Sequence, residues 1–189
     1  ELFSIPRGGS EVGVEAFETT LDGMPVYLIN GDPIRSSGSV YSLDSKQDTE
    51  KYAFFSLAAM ELPARINWQA DVVHANDWQA ALVPAYLAWN ARKIPSILTI
   101  HNLAYQGLFP RESLRRIGAP EDSFHIDGLE FYDKLSFLKG GLVYASHLTT
   151  VSATYAREIT TSELGCGLEG LLRQRSDAAQ LTGILNGID

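Results

Sequence analysis

Asp77 and His101 are the residues of this chain best placed to do chemistry. Asp77 follows the run D-V-V-H-A-N at 71–76, and His101-Asn102 follow S-I-L-T-I at 96–100. Both apolar runs read as buried strands. In an open parallel α/β sheet, ligands bind outside the carboxyl ends of the strands, so both positions point at a ligand crevice. His-Asn directly after a strand also gathers several donors and acceptors in one place. A structural role competes at each position. Asp77 could simply cap a helix starting at Trp78, and His101 could end a strand satisfied by its own turn. Trp78 and Tyr105 fit a core role or a sugar-stacking role. The pair has no evident nucleophile beside it and the chain has no G-x-S-x-G elbow, which argues against a covalent hydrolase.

Other suggestive motifs weaken on inspection. Gly165-Cys-Gly-Leu-Glu-Gly170 has the letters of a dinucleotide fingerprint but follows a helix-like stretch, where that fingerprint requires a strand. A turn between two helices is the expected role. Lys139-Gly140-Gly141 lies inside an apolar-periodic run, so its glycines are expected to allow close helix packing at about 1 kcal/mol each relative to Ala. His74, His101, His125 and His147 are dispersed and match no compact metal-ligand spacing. No metal site is expected.

Composition sets the frame for these residues. The chain has 189 residues, 45% hydrophobic and 20% charged, which suits one globular domain with a sizeable core. Its formal charge of -8 gives no electrostatic reason to expect nucleic acid or an anionic membrane. Cys166 is the single cysteine, so an intramolecular disulfide is impossible. No apolar run reaches the roughly 18 residues of a membrane helix. The first residues lack the regions of a signal peptide.

The elements that must position Asp77 and His101 follow from pattern. Val12–Leu21 and Met24–Asn30 flank Asp22-Gly23, a tight-turn pair, and predict a β-hairpin. Gly31–Asp48 reads as an exposed, functional loop, and Thr49–Arg65 as a helix. Asp71–Ala75, Trp78–Ala91 and Ser96–Ile100 form a βαβ unit. Leu103–Asp127 has no sustained period, whereas Leu129–Ala145 has helical spacing. His147–Val151 reads as a strand, Ser152–Thr160 as a helix capped by Ser152, Leu168–Arg175 as a helix and Leu181–Leu185 as a strand. The expected fold class is therefore α/β: a Rossmann-like, mostly parallel sheet with helices on both faces, plus an N-terminal β-hairpin.

Six segments carry a family resemblance. D-V-V-H-A-N-D-W-Q-A, T-I-H-N-L-A-Y-Q-G, H-I-D-G-L-E-F at 125–131, S-F-L-K-G-G-L at 136–142, T-T-V-S-A-T-Y-A-R-E-I at 149–159 and I-L-N-G-I-D at 184–189 resemble, in order, the bacterial glycogen synthase and plant starch synthase family. The resemblance implies a GT-B enzyme, with two Rossmann-like domains across a cleft. Such enzymes transfer glucose from ADP-glucose to the non-reducing end of an α-1,4-glucan with retention. ADP-glucose is then a donor substrate, and no cofactor is expected. The resemblance makes His101 the histidine that engages the transferred glucose near its C6 hydroxyl. It has Asn102 contact the substrates and Asp77 orient sugar hydroxyls or the histidine. Tyr41 matches the substrate-loop tyrosine, and Asn186 the asparagine near the donor sugar and domain junction.

The family's N-terminal K-x-G-G-L loop and nucleotide-sugar domain have no counterpart in these residues. The chain is accordingly read as an incomplete, acceptor-side N-terminal domain with Asp189 at the crossover. Alone it is expected to be inactive and prone to self-association through an uncovered strand edge. The resemblance places it in the bacterial cytoplasm, or in a plastid for a plant or algal source. Two alternatives stay open: another retaining GT-B transferase, and a non-catalytic glucan-binding module.

Overall fold

A computed structural model describes residues 1–7, 9–42 and 44–187. The Asp-Gly hairpin forms as expected. β2 (Ser10–Leu21) and β3 (Met24–Asn30) meet at the Leu21↔Met24 pair, with Asp22 and Gly23 at φ 50° and 80°. A strand absent from the pattern reading, β1 (Leu2–Arg7), adds to the other edge of β2. It contributes Ile5, which is fully buried beside Val14 in the hydrophobic core.

The segment expected to be a loop is partly helical. A short helix, α1 (Asp32–Arg35), opens it, and α2 (Ser45–Arg65) begins four residues before the expected start. Asp44 caps α2 by accepting the Lys46 N–H at 2.9 Å. The first turn of α2 carries no apolar residue, so hydrophobic period could not reveal it. The three-stranded sheet and α2 pack together at the start of the chain.

The central sheet is wholly parallel, in the order β10-β9-β5-β4. Its strands are β4 (Val73–Asn76), β5 (Ser96–Ile100), β9 (His147–Thr150) and β10 (Leu181–Gly183). Between β4 and β5 the expected single helix is broken at Ala81 into α3 (Asp77–Ala80) and α4 (Leu82–Trp89). Between β5 and β9 the chain builds β6 (Leu108–Pro110), α5 (Ser113–Arg116), β7 (Glu130–Phe131), β8 (Lys134–Ser136) and α6 (Phe137–Tyr144). β6, β8 and β7 form a small antiparallel sheet. The helix expected over 129–145 is thus corrected to a hairpin followed by a shorter helix. Tyr132 and Asp133 turn the hairpin with positive φ, and Ser136 caps α6 by accepting the Lys139 N–H.

After β9, Ser152 caps α7 (Ala153–Glu158) through the Tyr155 N–H at 2.9 Å, as its position predicts. The glycine-rich run at 165–170 is a turn, with Cys166 and Gly167 at φ 52° and 82°, leading into α8 (Glu169–Asp177). The crossover expected at Asp189 falls outside the described residues.

Coverage of the two sheet faces is uneven. Ala75, Leu98, Ile100 and Leu148 are buried on the face that meets α4 and α6. The opposite face carries a polar row: His74 Nε2 lies 2.6 Å from Thr99 Oγ1, which lies 2.6 Å from Thr149 Oγ1. Close approach of α6 depends on Gly141, where a Cβ would sit 2.6 Å from Leu98 Cδ2 and 2.9 Å from the Ala81 carbonyl oxygen. At Gly140 the same atom would meet nothing nearer than 3.4 Å.

These two glycines give a paired prediction. Gly141→Ala should lower stability by about 1–3 kcal/mol through overpacking. Gly140→Ala should be neutral or raise stability by up to about 1 kcal/mol through helix preference. Urea unfolding midpoints of the two variants test the contrast.

Candidate functional site

The site is built where β4 and β5 end side by side. β4 pairs with β5 in parallel with Asn76 opposite Thr99, so the residues following both strands emerge together. Asp77 takes φ 54°, a left-handed conformation that Asp tolerates better than most side chains. This turns the chain from strand to helix within one residue. The Asp77 carboxylate accepts the His101 backbone N–H at 2.8 Å. The expected alternative role as a helix cap is not observed: Asn76 occupies the cap position of α3, and no side chain makes the cap bond.

Asn76, which the sequence reading left without a role, holds the histidine ring. Its Oδ1 lies 3.0 Å from His101 Nε2. An amide oxygen can only accept, so Nε2 carries the proton in this bond and a neutral ring keeps its acceptor at Nδ1. Both the backbone and the ring of His101 are therefore held by two adjacent residues at the end of β4. The His101 residue remains exposed.

The loop after His101 is fixed from three directions. Asn102 spends Oδ1 on the Ala104 N–H at 3.0 Å, a local side-chain turn. Tyr155 of α7 accepts the Leu103 N–H through its hydroxyl at 3.0 Å. The buried Gln106 donates from Nε2 to the Cys166 carbonyl at 3.0 Å. Gly107, at φ 61°, lies against Trp78, where a Cβ would come within 2.4 Å of the indole. Trp78 is a core ring packed edge-on to Tyr52, whereas Tyr105 is 66% exposed.

Tyr41 reaches the same strand end from the long loop. Its hydroxyl accepts Gln79 Nε2–H at 2.7 Å, and its ring lies 6.1 Å from that of Trp78. Helix α2 anchors this loop through a buried ion pair, Lys51 Nζ to Asp48 Oδ1 at 2.9 Å. Lys51 also donates to Ser37 Oγ and to the Ser39 and Val40 carbonyls. Asp48 accepts the Ser42 N–H through both oxygens at 3.0 Å. Tyr52 adds a third anchor by donating to the Val40 carbonyl. The i,i+3 spacing of Asp48 and Lys51 is visible in sequence, but their loop partners are not.

Asn186 is exposed beyond β10, on the carboxyl side of the sheet. With β9 lying between them, β10 is about 10 Å along the sheet from β5. Asp77, His101, Asn102 and Tyr41 are thus gathered around β4 and β5, while Asn186 follows β10, two strands along. Among the described residues no group of three or more His, Cys, Asp or Glu could hold a metal ion. What the cluster offers is a set of oriented donors and acceptors beside an exposed tyrosine.

Residues 3–174 match the starch synthase catalytic domain family. Glycogen synthase 1 of Bradyrhizobium diazoefficiens is 67% identical over 178 residues, covering 90% of this chain and 38% of that protein. Glycogen synthase of Pseudomonas syringae pv. tomato is 47% identical over 176 residues, covering 89% of this chain and 36% of its own length. The chain therefore spans little more than a third of these relatives. Among solved structures, the catalytic domain of starch synthase IV from Arabidopsis thaliana, bound to ADP and acarbose, is similar with a TM-score of 0.88 and 29% identity. That match covers 100% of this chain and 40% of the other.

The loop anchor yields two expectations. Asp48→Ala leaves the Lys51 charge buried without its counter-ion and should cost about 3–5 kcal/mol, read by urea unfolding. Burial foremost, then Asp48 and Tyr41, push the Tyr52 phenol up to about 12. The folded form then holds its proton more tightly than the unfolded chain, whose phenol titrates near about 10. This contribution to stability is complete below that pH and is lost as pH rises toward the folded value. Ultraviolet phenolate titration should show late-ionising tyrosine, and Tyr52→Phe should remove one equivalent of that late step.

Proposed function

The chain belongs to the starch synthase catalytic domain family, and on that premise we propose that it supplies the acceptor-side wall of a glucosyl-transfer site. The intact enzyme transfers glucose from ADP-glucose to the non-reducing end of an α-1,4-glucan with retention of configuration. Glycogen synthase names on its bacterial relatives favour glycogen as the product. The Arabidopsis neighbour's bound ADP and acarbose are consistent with a nucleotide-sugar donor and a glucan acceptor. Among the described residues, no helix is long and apolar enough to cross a membrane.

The observation that carries this reading is the double hold on His101 by Asp77 and Asn76. A sugar hydroxyl is a weak and mobile partner, so selecting one orientation needs donors and acceptors that do not reorganise on binding. His101 meets that need. Its fixed ring would bind the transferred glucose near the C6 hydroxyl and set the anomeric carbon against the acceptor. Asp77 would act through the histidine backbone. Asn102, with Oδ1 engaged by its own loop, would meet substrate with its amide nitrogen. Tyr41, held by Gln79, would border the acceptor, and Asn186 would lie on the donor side. The opposite wall and the diphosphate contacts would come from the nucleotide-sugar domain.

Transfer of radiolabelled glucose into glycogen tests this assignment. In the full-length enzyme, His101→Ala should lower kcat by about 100- to 1,000-fold, the scale of losing one fixed hydrogen-bonding group in the transition state. Its unfolding midpoint should stay unchanged, because the ring is exposed. Unaltered turnover in that variant would remove His101 from the site. The 189 residues alone should transfer no glucose, and sedimentation should show them self-associating. Activity of this chain by itself would overturn the two-wall reading.

A further inference from the structure

Helix α7 leaves the carboxyl end of β9, the strand that lies between β5 and β10. It therefore starts between the loop that carries His101 and the segment that carries Asn186, and it touches both. At β10, Ile184 donates its N–H to the Thr150 carbonyl at 2.7 Å, and a Cβ on Gly183 would collide with the Ser152 carbonyl at the start of the helix. On the β5 side the bond comes from one side chain, Tyr155, whose hydroxyl accepts the Leu103 N–H.

Packing does not call for that hydroxyl. The Tyr155 ring is half-buried against the hydrophobic core, a place that a phenylalanine would fill equally well. Among the described residues the hydroxyl makes one bond, and that bond goes to the loop. The tyrosine is itself held in place, because its backbone N–H is the one capped by Ser152. A fixed acceptor thus stands at the carboxyl end of the sheet, facing the peptide between Asn102 and Leu103.

The turn after His101 has no other directional tie to a neighbouring element among the described residues. The Ala104 N–H bonds to Asn102 Oδ1 and the Tyr105 N–H to the Asn102 carbonyl at 3.3 Å, both within the turn itself. Burial of Leu103, 1% exposed, fixes where the turn sits, but apolar burial is non-directional and does not set the tilt of the peptide plane. The far end of the loop is secured separately, by Gln106 on Cys166 and by the Leu138 N–H on the Gln106 carbonyl at 3.0 Å. Loss of the Tyr155 hydroxyl would therefore free the Asn102 turn alone, between the clamp at His101 and the clamp at Gln106.

We infer that Tyr155 is a positioning residue for glucosyl transfer, its hydroxyl acting through the Leu103 N–H to set the orientation of Asn102. The inference rests on the transfer-site reading above. Asn102 meets substrate there with its amide nitrogen, and a tilt of its turn swings that group off the sugar. Misplacement by about 1 Å is enough to cost roughly 100-fold in rate. Because α7 also abuts Gly183, the same helix sets the Asn102 turn against the segment leading to Asn186.

The test uses full-length enzyme and Tyr155→Phe, which keeps the ring and its packing and removes only the hydroxyl. Hydrogen exchange read by mass spectrometry should quicken over 101–105 and stay unchanged over α4 and α6. At a temperature below both unfolding midpoints, kcat for glycogen extension should fall about 10- to 100-fold with KM within about twofold, the split expected when orientation is lost and binding is kept. In an Asn102→Ala background the same substitution should lower kcat by less than about twofold, since the two residues act as one unit. A loss of stability alone would give neither the split nor the coupling. Unchanged exchange, full kcat in Tyr155→Phe, or an equal loss in both backgrounds would overturn the assignment of Tyr155 and leave the transfer-site reading intact. Unaltered kcat in Asn102→Ala would instead remove Asn102 from the site and take this inference with it.

Discussion

One hydrogen bond between neighbouring strands organises the candidate site: the Asp77 carboxylate accepting the His101 N–H at 2.8 Å. It requires a left-handed residue at the end of β4, because an extended Asp77 would continue the strand past the point where β5 turns away. The same dihedral starts α3 at once, and four consecutive residues then diverge. Asn76 reaches the His101 ring, Asp77 its backbone, Trp78 enters the core and Gln79 meets Tyr41. Local strain at Asp77 is thereby tied to every neighbouring contact. A residue so placed is held by its surroundings as much as it holds them.

The loop bearing Tyr41 is ordered by the opposite means, a buried charge pair in place of backbone strain. A buried Lys-Asp pair is a poor source of net stability, since desolvation offsets much of the attraction. Lys51 and Asp48 are nonetheless both heavily hydrogen-bonded, and nearly all their partners are backbone groups of the loop. The pair helps turn a largely polar segment into a defined surface. Tyr52 sits between the two systems, donating to the loop through its hydroxyl and packing its ring on Trp78. The strand-end cluster and the loop consequently share one aromatic wall.

Close packing behind the site relies on missing side chains. Gly107 lets the post-β5 loop lie on Trp78, and Gly141 lets α6 approach Leu98 and Ala81. Because α6 is pressed against both β5 and the α3–α4 junction, its position is coupled to the residues that hold His101. Within the Lys139-Gly-Gly run, Gly141 serves packing and the lysine braces a neighbouring loop.

Much of this architecture was legible where physics is local. Asp22-Gly23 turned the first hairpin, Ser152 capped α7, and the runs before Asp77 and His101 formed parallel strands. Other elements were hidden because a short-range pattern is ambiguous or silent. The run from Leu129 to Ala145 satisfies helical spacing, yet Tyr132 and Asp133 turn it into a hairpin packed against Gly167 and β6. Residue identity alone marked Asp77 and His101 as polar groups at strand ends. Tertiary structure decided that they bond to each other, that Asn76 holds the ring and that Lys51 anchors Tyr41. Those contacts join residues far apart along the chain, and only the parallel register of β4 on β5 and the docking of the loop on α2 bring them within bonding distance.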